Sequence, residues 1–236
     1  MISVITCTIR DSCMENIFEN YKNQNYDQKE LIIVLNQDSM CLQKWSEKAK
    51  NYENVSVYQV PQHTSLGKCI NFAVGHAKYD IIANFEDDDY YAPAYLQDSL
   101  SKLKFTKADV IGKTSVYIYL KNKQVLAVFN PGNENQYVND QTSFAKQYLQ
   151  GGTLVFYKAV LDQVRFPDQI KEVDRIFCRD CVKAGFGVYS AAKENFTYVR
   201  EDDQEQHTWK VPVDVILSIS QFITKTDDFK RFVSKH

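Results

Sequence analysis

The chain has 236 residues, 44% of them apolar and 25% charged, with 28 lysines and arginines against 30 aspartates and glutamates. Those are the proportions of a folded globular domain, and 15 tyrosines, 14 phenylalanines and 2 tryptophans supply its core, which excludes a disordered or fibrous chain. A formal net charge of −2 lacks the basic excess of a polyanion-binding surface and argues against nucleic acid as the main partner.

The first hundred residues alternate between two periodicities. Residues 3–9, 31–35, 55–60 and 80–85 are β-branched, nearly continuous apolar runs, as strands covered on both faces require. Between them lie helical stripes: Ile17, Phe18 and Tyr21; then Leu42, Trp45 and Ala49; then Leu66, Ile70, Ala73, Val74 and Ala77. Strand alternating with helix predicts an α/β fold with a Rossmann-like, doubly wound and mostly parallel sheet, whose ligands bind beyond the carboxyl ends of the strands. Pro93 suits the first position of a helix running to about residue 103. Residues 110–120 and 124–129 alternate around Lys121-Asn122-Lys123 and predict a small antiparallel hairpin, and the Asn-rich stretch 130–140 predicts a loop. A strand over 153–157, a short helix from Lys158 and a helix over 172–184 follow, the last with Val173, Ile176, Phe177, Cys181 and Ala184 inward and Gly185 as a left-handed cap. Residues 211–222 predict an amphipathic helix, so the carboxyl end is read as helical.

No run of 18 apolar residues is present, and Met1-Ile2-Ser3-Val4-Ile5 lacks the layout of a leader, so the expectation is a cytoplasmic protein with no transmembrane segment. Cys7, Cys13, Cys41, Cys69, Cys178 and Cys181 are scattered through apolar stretches, which predicts reduced, mostly packed thiols. Cys178 and Cys181 have the spacing of half a zinc site but lie on a helical stripe with no second pair, so packing is the better reading.

The strongest chemical signal is Glu86-Asp87-Asp88-Asp89, set directly after an apolar strand. Adjacent carboxylates raise one another's pKa unless positive charge or donors compensate, and at a strand end they suit a divalent ion that prefers hard oxygens. The alternative is a solvated acidic turn. His207 could join such a ligand set or be structural, and Asp174 could act as a general base or merely complement a helix dipole. Gly67 followed by Lys68 could present an amide and an ammonium to a phosphate, and Gly151-Gly152 either admits a ligand or permits a bend. Tyr90, Tyr91 and Trp209 offer stacking surfaces or packing.

Six elements recur in a recognisable order: Thr8-Ile9-Arg10 and Asn36-Gln37-Asp38 closing the first two strands, then Leu66-Gly67-Lys68-Cys69-Ile70-Asn71-Phe72-Ala73, then Glu86-Asp87-Asp88-Asp89-Tyr90-Tyr91-Ala92-Pro93, then Gly151-Gly152-Thr153, then Val173-Asp174 leading to Lys183-Ala184-Gly185. Over residues 2–209 this set resembles the inverting glycosyltransferases of family 2, which have the GT-A fold, as found in bacterial cell-envelope and spore-surface members. The sequence departs from the family pattern at Glu86, where Asp is usual, at Val173, where Glu is usual, and at Ile70, where many members carry Arg.

The resemblance implies one domain over 1–236, with a nucleotide half (1–105), an acceptor and catalytic half (106–210) and a helical tail (211–236). It implies that Thr8, Arg10, Asn36, Asp38, Lys68, Asp87, Gly151 and Gly152 hold a nucleotide-sugar donor, UDP-sugar favoured, and that Glu86, Asp88 and His207 hold Mn²⁺ or Mg²⁺. Asp174 would take the proton from a glycan or other hydroxyl acceptor during direct displacement. Two other classes stay open: a nucleotidyltransferase, although Arg10-Asp11-Ser12-Cys13 offers no glycine after the first strand, and a catalytically weak glycan- or nucleotide-binding assembly component.

Overall fold

The computed structural model describes residues 1–139, 148–201 and 211–234. Strands β1 (Ile2–Thr8), β2 (Lys29–Leu35), β3 (Val55–Gln59) and β4 (Ile81–Asn84) alternate with helices α1 (Met14–Lys22), α2 (Leu42–Ala49) and α3 (Leu66–His76), as the periodicity predicts. After these come β5 (Tyr90–Tyr91), α4 (Tyr95–Thr106), β6 (Val110–Gly112), β7 (Val116–Leu120), β8 (Val125–Phe129) and β9 (Gln136–Tyr137). The remainder contains β10 (Val155–Tyr157), α5 (Val173–Lys183), β11 (Val188–Ser190), β12 (Phe196–Arg200), α6 (Val213–Ser218), β13 (Ser220–Lys225) and α7 (Lys230–Val233).

The larger sheet has eight strands in the order β3-β2-β1-β4-β10-β6-β11-β9. Strands β3, β2, β1 and β4 are mutually parallel, while β10 runs antiparallel to both β4 and β6. The direction of winding reverses between β1 and β4, so the crevice beyond Thr8 and Asn84 is the topological switch point, the usual ligand position in such sheets. Alternate residues of β2 feed opposite layers, which explains its unbroken apolar run. Leu31, Ile33 and Leu35 pack with Phe18, Trp45 and Leu100, whereas Ile32 and Val34 pack with Ile70, Val74 and Phe177.

Five expectations change. The run 110–120 is not one strand: β6 stays in the large sheet, the chain turns at Lys113, Thr114 and Ser115, and β7 starts a second sheet. The predicted hairpin is real as β7 and β8, but it forms the middle of a five-stranded sheet, β13-β8-β7-β12-β5. The predicted terminal helix over 211–222 is only the short α6 followed by β13, because apolar residues there pair with the open edge of β8 rather than completing a helical stripe. Leu42 and Ala184, read as inward, are exposed. Pro93 lies just before α4, whose first residue is Tyr95. All six cysteines are free thiols, with Cys69, Cys178 and Cys181 buried. Among the described residues no helix is long and apolar enough to cross a membrane.

Gly67, at the start of α3, is required by packing. A Cβ there would sit 1.7 Å from the Pro167 carbonyl oxygen, and its amide donates to Gln169 at 3.2 Å. Ser65 caps this helix by accepting from Lys68 N, and its hydroxyl donates to Asp168 at 2.7 Å. The expected result of Gly67→Ala is a loss of about 3 kcal/mol in urea unfolding, since the contact is with backbone that cannot rotate away.

Candidate active site

The acidic loop after β4 is held first through its backbone. Asn16 and Asn20 on α1, with Gln24 just beyond its end, recur every fourth residue and form a polar stripe beside the helix's apolar one. Asn16 Nδ2 donates to the carbonyls of Asp87 and Asp89, both at 2.9 Å, and Asn20 Nδ2 donates to Asp89 O at 2.8 Å. Asn20 Oδ1 accepts from Tyr91 N, and Gln24 Nε2 donates to Ala92 O at 3.1 Å. On the other side β5 pairs with β12, fixing residues 90 and 91 to the second sheet.

The four carboxyl groups then diverge. Asp87 is buried at the end of β1, where Thr8 Oγ1 donates to Oδ2 at 2.5 Å and the Arg10 guanidinium engages both oxygens. Asp88 is partly exposed and pairs with Arg10 Nη2 at 3.1 Å. Asp89 is buried and accepts from Val199 N of β12 at 3.2 Å. Glu86 turns toward Gly152. Burial, followed by repulsion from Asp87, Asp88 and Asp174, pushes the Glu86 carboxyl up to about 8. Asp87 and Asp89 are raised as well, chiefly by burial, although Arg10 and Thr8 pull Asp87 back.

Opposite this loop, the 3₁₀ turn Gly151–Thr153 joins the acidic corner to α5. Asn84 Nδ2 donates to Gly151 O at 3.0 Å, Tyr91 Oη to Gly152 O at 2.6 Å and Tyr95 Oη to Thr153 O at 3.0 Å. A Cβ on Gly152 would lie 2.7 Å from Glu86 Cγ, and one on Gly151 would lie 3.3 Å from Asp174 Oδ2. Both glycines therefore permit close approach. Asp174 Oδ2 accepts from Gly151 N at 2.9 Å and Oδ1 from Arg175 N at 2.8 Å. Burial raises this carboxyl while the two amides oppose the shift.

Thr8, Arg10, Glu86, Asp87, Asp88, Gly151, Gly152 and Asp174 thus gather around one crevice. Asn36 and Asp38 lie at the neighbouring end of β2, where Asn36 Nδ2 donates to Pro61 O and Asp38 Oδ1 accepts from Gln62 N. Lys68 is exposed and pairs with Asp168 at 2.6 Å, and the Gly67 amide beside it is already engaged, so neither is turned to the acidic corner. His207 and Trp209 fall outside the described residues. Tyr91, left open between stacking and packing, is buried flat against Phe85 at 3.7 Å between ring centroids and serves as a peg for Gly152. Among the described residues no group of three histidine, cysteine or acidic side chains is arranged to hold a metal ion alone.

Several participants escape sequence reasoning. The buried Arg200 at the end of β12 faces Asp88 and Asp89 electrostatically, and the partly buried Tyr198 donates to Gln150 Oε1 at 3.1 Å within the field of Asp89 and Asp174. The regular spacing of Asn16, Asn20 and Gln24 was the one available signal for the anchoring stripe. Nothing local marks β12 as the floor of the site.

The family model described as Glycosyl transferase family 2 matches residues 3–165, most of the chain. The chain belongs to glycosyltransferase family 2. Membership sets aside the nucleotidyltransferase reading. A relative within reach of sequence comparison is the O-antigen biosynthesis glycosyltransferase WbnJ of Escherichia coli, 28% identical over 164 residues, or 68% of this chain and 63% of that protein. The chain therefore aligns with less than two thirds of that relative's length. Among solved structures, S. aureus TarS 1-349 shares the fold with a TM-score of 0.64 at 18% identity, covering 84% of this chain and 60% of that one. The mannosyltransferase PcManGT from Pyrobaculum calidifontis, solved with GDP-Man and Mn²⁺, has a TM-score of 0.60 at 14% identity, covering 84% and 56%. The family fold is the GT-A arrangement expected from the sequence.

Because the folded state holds Glu86 near 8, above the ordinary 4.5, it favours the protonated form, and that stabilisation is lost as pH rises through the folded value. In chelator-treated protein, Glu86→Gln should leave the melting temperature nearly unchanged at about pH 5 and raise it by several degrees at about pH 9. Differential scanning calorimetry across that range checks the sign.

Proposed function

We propose that this family 2 member is a metal-dependent, inverting hexosyltransferase, moving a sugar from a nucleoside-diphosphate donor, UDP-sugar favoured, to a hydroxyl acceptor of a polysaccharide or other glycan. The observation that carries this reading is the turn Gly151–Thr153, which touches Glu86 of the acidic loop on one side and Asp174 on the other. A donor seated against that turn has its diphosphate at the acidic corner and its anomeric carbon facing the carboxylate of α5. Residues 1–105 then form the nucleotide half, with Thr8, Arg10, Asn36 and Asp38 lining the strand ends, and later residues form the acceptor side. TarS solved in complex with UDP-GlcNAc supports the choice of donor class.

The acidic corner fits a divalent cation on its own chemistry. Asp88 offers hard oxygens at a partly exposed position, and Glu86, Asp87 and Asp89 are all held above the ordinary carboxylate range, first by burial and then by repulsion from neighbouring carboxylates that a cation would offset. Asp88, with Glu86 and His207, would hold Mn²⁺ or Mg²⁺, and phosphate oxygens of the donor would complete the shell in place of further protein ligands. When bound, the ion supplies Lewis-acid neutralisation of charge on the departing nucleoside diphosphate.

The remaining work falls to the chain itself. Asp174 takes the acceptor's proton as that oxygen attacks from the face opposite the diphosphate, so a single positioned carboxylate suffices. The amides of Gly151 and Arg175 fix its orientation, and burial lifts its basicity above that of a free aspartate. Tyr91 and Tyr95 keep the glycine turn seated, and with it the separation between base and acidic corner.

With a panel of nucleotide sugars and Mn²⁺, nucleoside diphosphate release should single out a UDP-sugar. Asp174→Asn should lower kcat by about 10³ while leaving UDP affinity nearly unchanged. Asp88→Ala should abolish Mn²⁺-dependent UDP binding in calorimetry. Turnover that survives Asp174→Asn removes the base, and UDP binding indifferent to Mn²⁺ removes the ion.

A further inference from the structure

Asp87 and Asp88 are adjacent, yet Arg10 treats them differently. Toward Asp87 the guanidinium presents a two-point fork, Nε and Nη2 each meeting one carboxylate oxygen, and Thr8 adds a hydroxyl donor. Toward Asp88 it spends only one contact, from the same Nη2, at 3.1 Å. Exposure follows the same division: the Asp87 side chain is 4% accessible, whereas Asp88 is 26% and Arg10 22% accessible. The first pair is a buried bidentate clamp, and the second is a single-point contact open to exchange. Arg200 approaches the same carboxylate from β12, but it is buried in the floor.

We propose that Arg10 is the resident counter-cation of Asp88, which a divalent ion must displace, and that this exchange makes ion and diphosphate bind cooperatively. The inference rests on the reading of Asp88 as a metal ligand. Giving up the ion pair with Asp88 leaves the fork on Asp87 intact, so Arg10 stays in place when the ion arrives. Guanidinium and dication then stand side by side and repel each other. A diphosphate relieves that repulsion because its oxygens accept hydrogen bonds from the released guanidinium and donate lone pairs to the ion. The ion alone is consequently bound weakly, and the nucleotide tightens it; by linkage the ion tightens the nucleotide by the same factor. A metal-free site meanwhile keeps Asp88 neutralised without closing the crevice.

Mn²⁺ binding, read from the electron paramagnetic resonance signal of the free aquo ion, tests this without catalysis. In the wild-type chain UDP should tighten Mn²⁺ by tenfold or more; in Arg10→Met, Mn²⁺ alone should bind about tenfold tighter and the enhancement by UDP should shrink toward unity. Since Arg10→Met leaves Asp87 buried without its fork, the double variant Arg10→Met with Asp87→Asn, compared with Asp87→Asn alone, should show the same gain. If neither comparison raises Mn²⁺ affinity while Asp88→Asn abolishes it, the role of Arg10 is overturned and the ligand reading stands. If Asp88→Asn leaves Mn²⁺ binding with UDP intact, the ligand reading falls, and this inference with it.

Discussion

Four consecutive carboxyl groups at the mouth of a buried sheet repel one another and resist desolvation, and every neighbouring element bears the mark of that constraint. The loop carrying them is held by more than its charges. Neutral amides of Asn16, Asn20 and Gln24 grip the carbonyls of residues 87, 89 and 92, so the backbone keeps its course whatever the ionisation above it. Free to diverge, the side chains separate: one into an arginine fork, one toward β12, one toward the glycine turn and one outward.

The second sheet follows from the same demand. Because β5 is only two residues long, it gains stability by pairing with β12, and β12 in turn supplies the Val199 amide to Asp89 and the charge of Arg200. The crevice thus has a parallel-sheet wall, from β1 and β4, and an antiparallel floor, from β5 and β12. Neither wall alone could keep the four acids apart.

How far the sequence speaks depends on the range of the interaction. The α/β alternation over the first hundred residues was legible because burial on both faces leaves continuous apolar runs, and the acidic loop was legible because it directly follows one of them. The chain's passage from one sheet to the other at Lys113 was not, since residues on either side alternate as a single long strand would. The carboxyl end misled for a related reason: Val213, Ile216 and Leu217 have helical spacing, but the vacant edge of β8 captures the residues that follow into β13. At the site, Thr8, Arg10, Asp88, Gly151, Gly152 and Asp174 could be picked out from short motifs, whereas Arg200 and Tyr198 gain their significance only from a sheet assembled across a hundred residues. Lys68 shows the same limit of local reading, since its place after Gly67 suggests a phosphate contact, whereas its ion pair with Asp168 comes from a residue a hundred positions away.

Asp174 carries one more consequence. Each of its oxygens already spends a lone pair on a main-chain amide, one from Gly151 across the crevice and one from Arg175 in its own helix. Only the outward lone pairs remain, and their directions belong to two pieces of backbone rather than to a side-chain rotamer. A proton can reach this group only along an approach laid down by the fold.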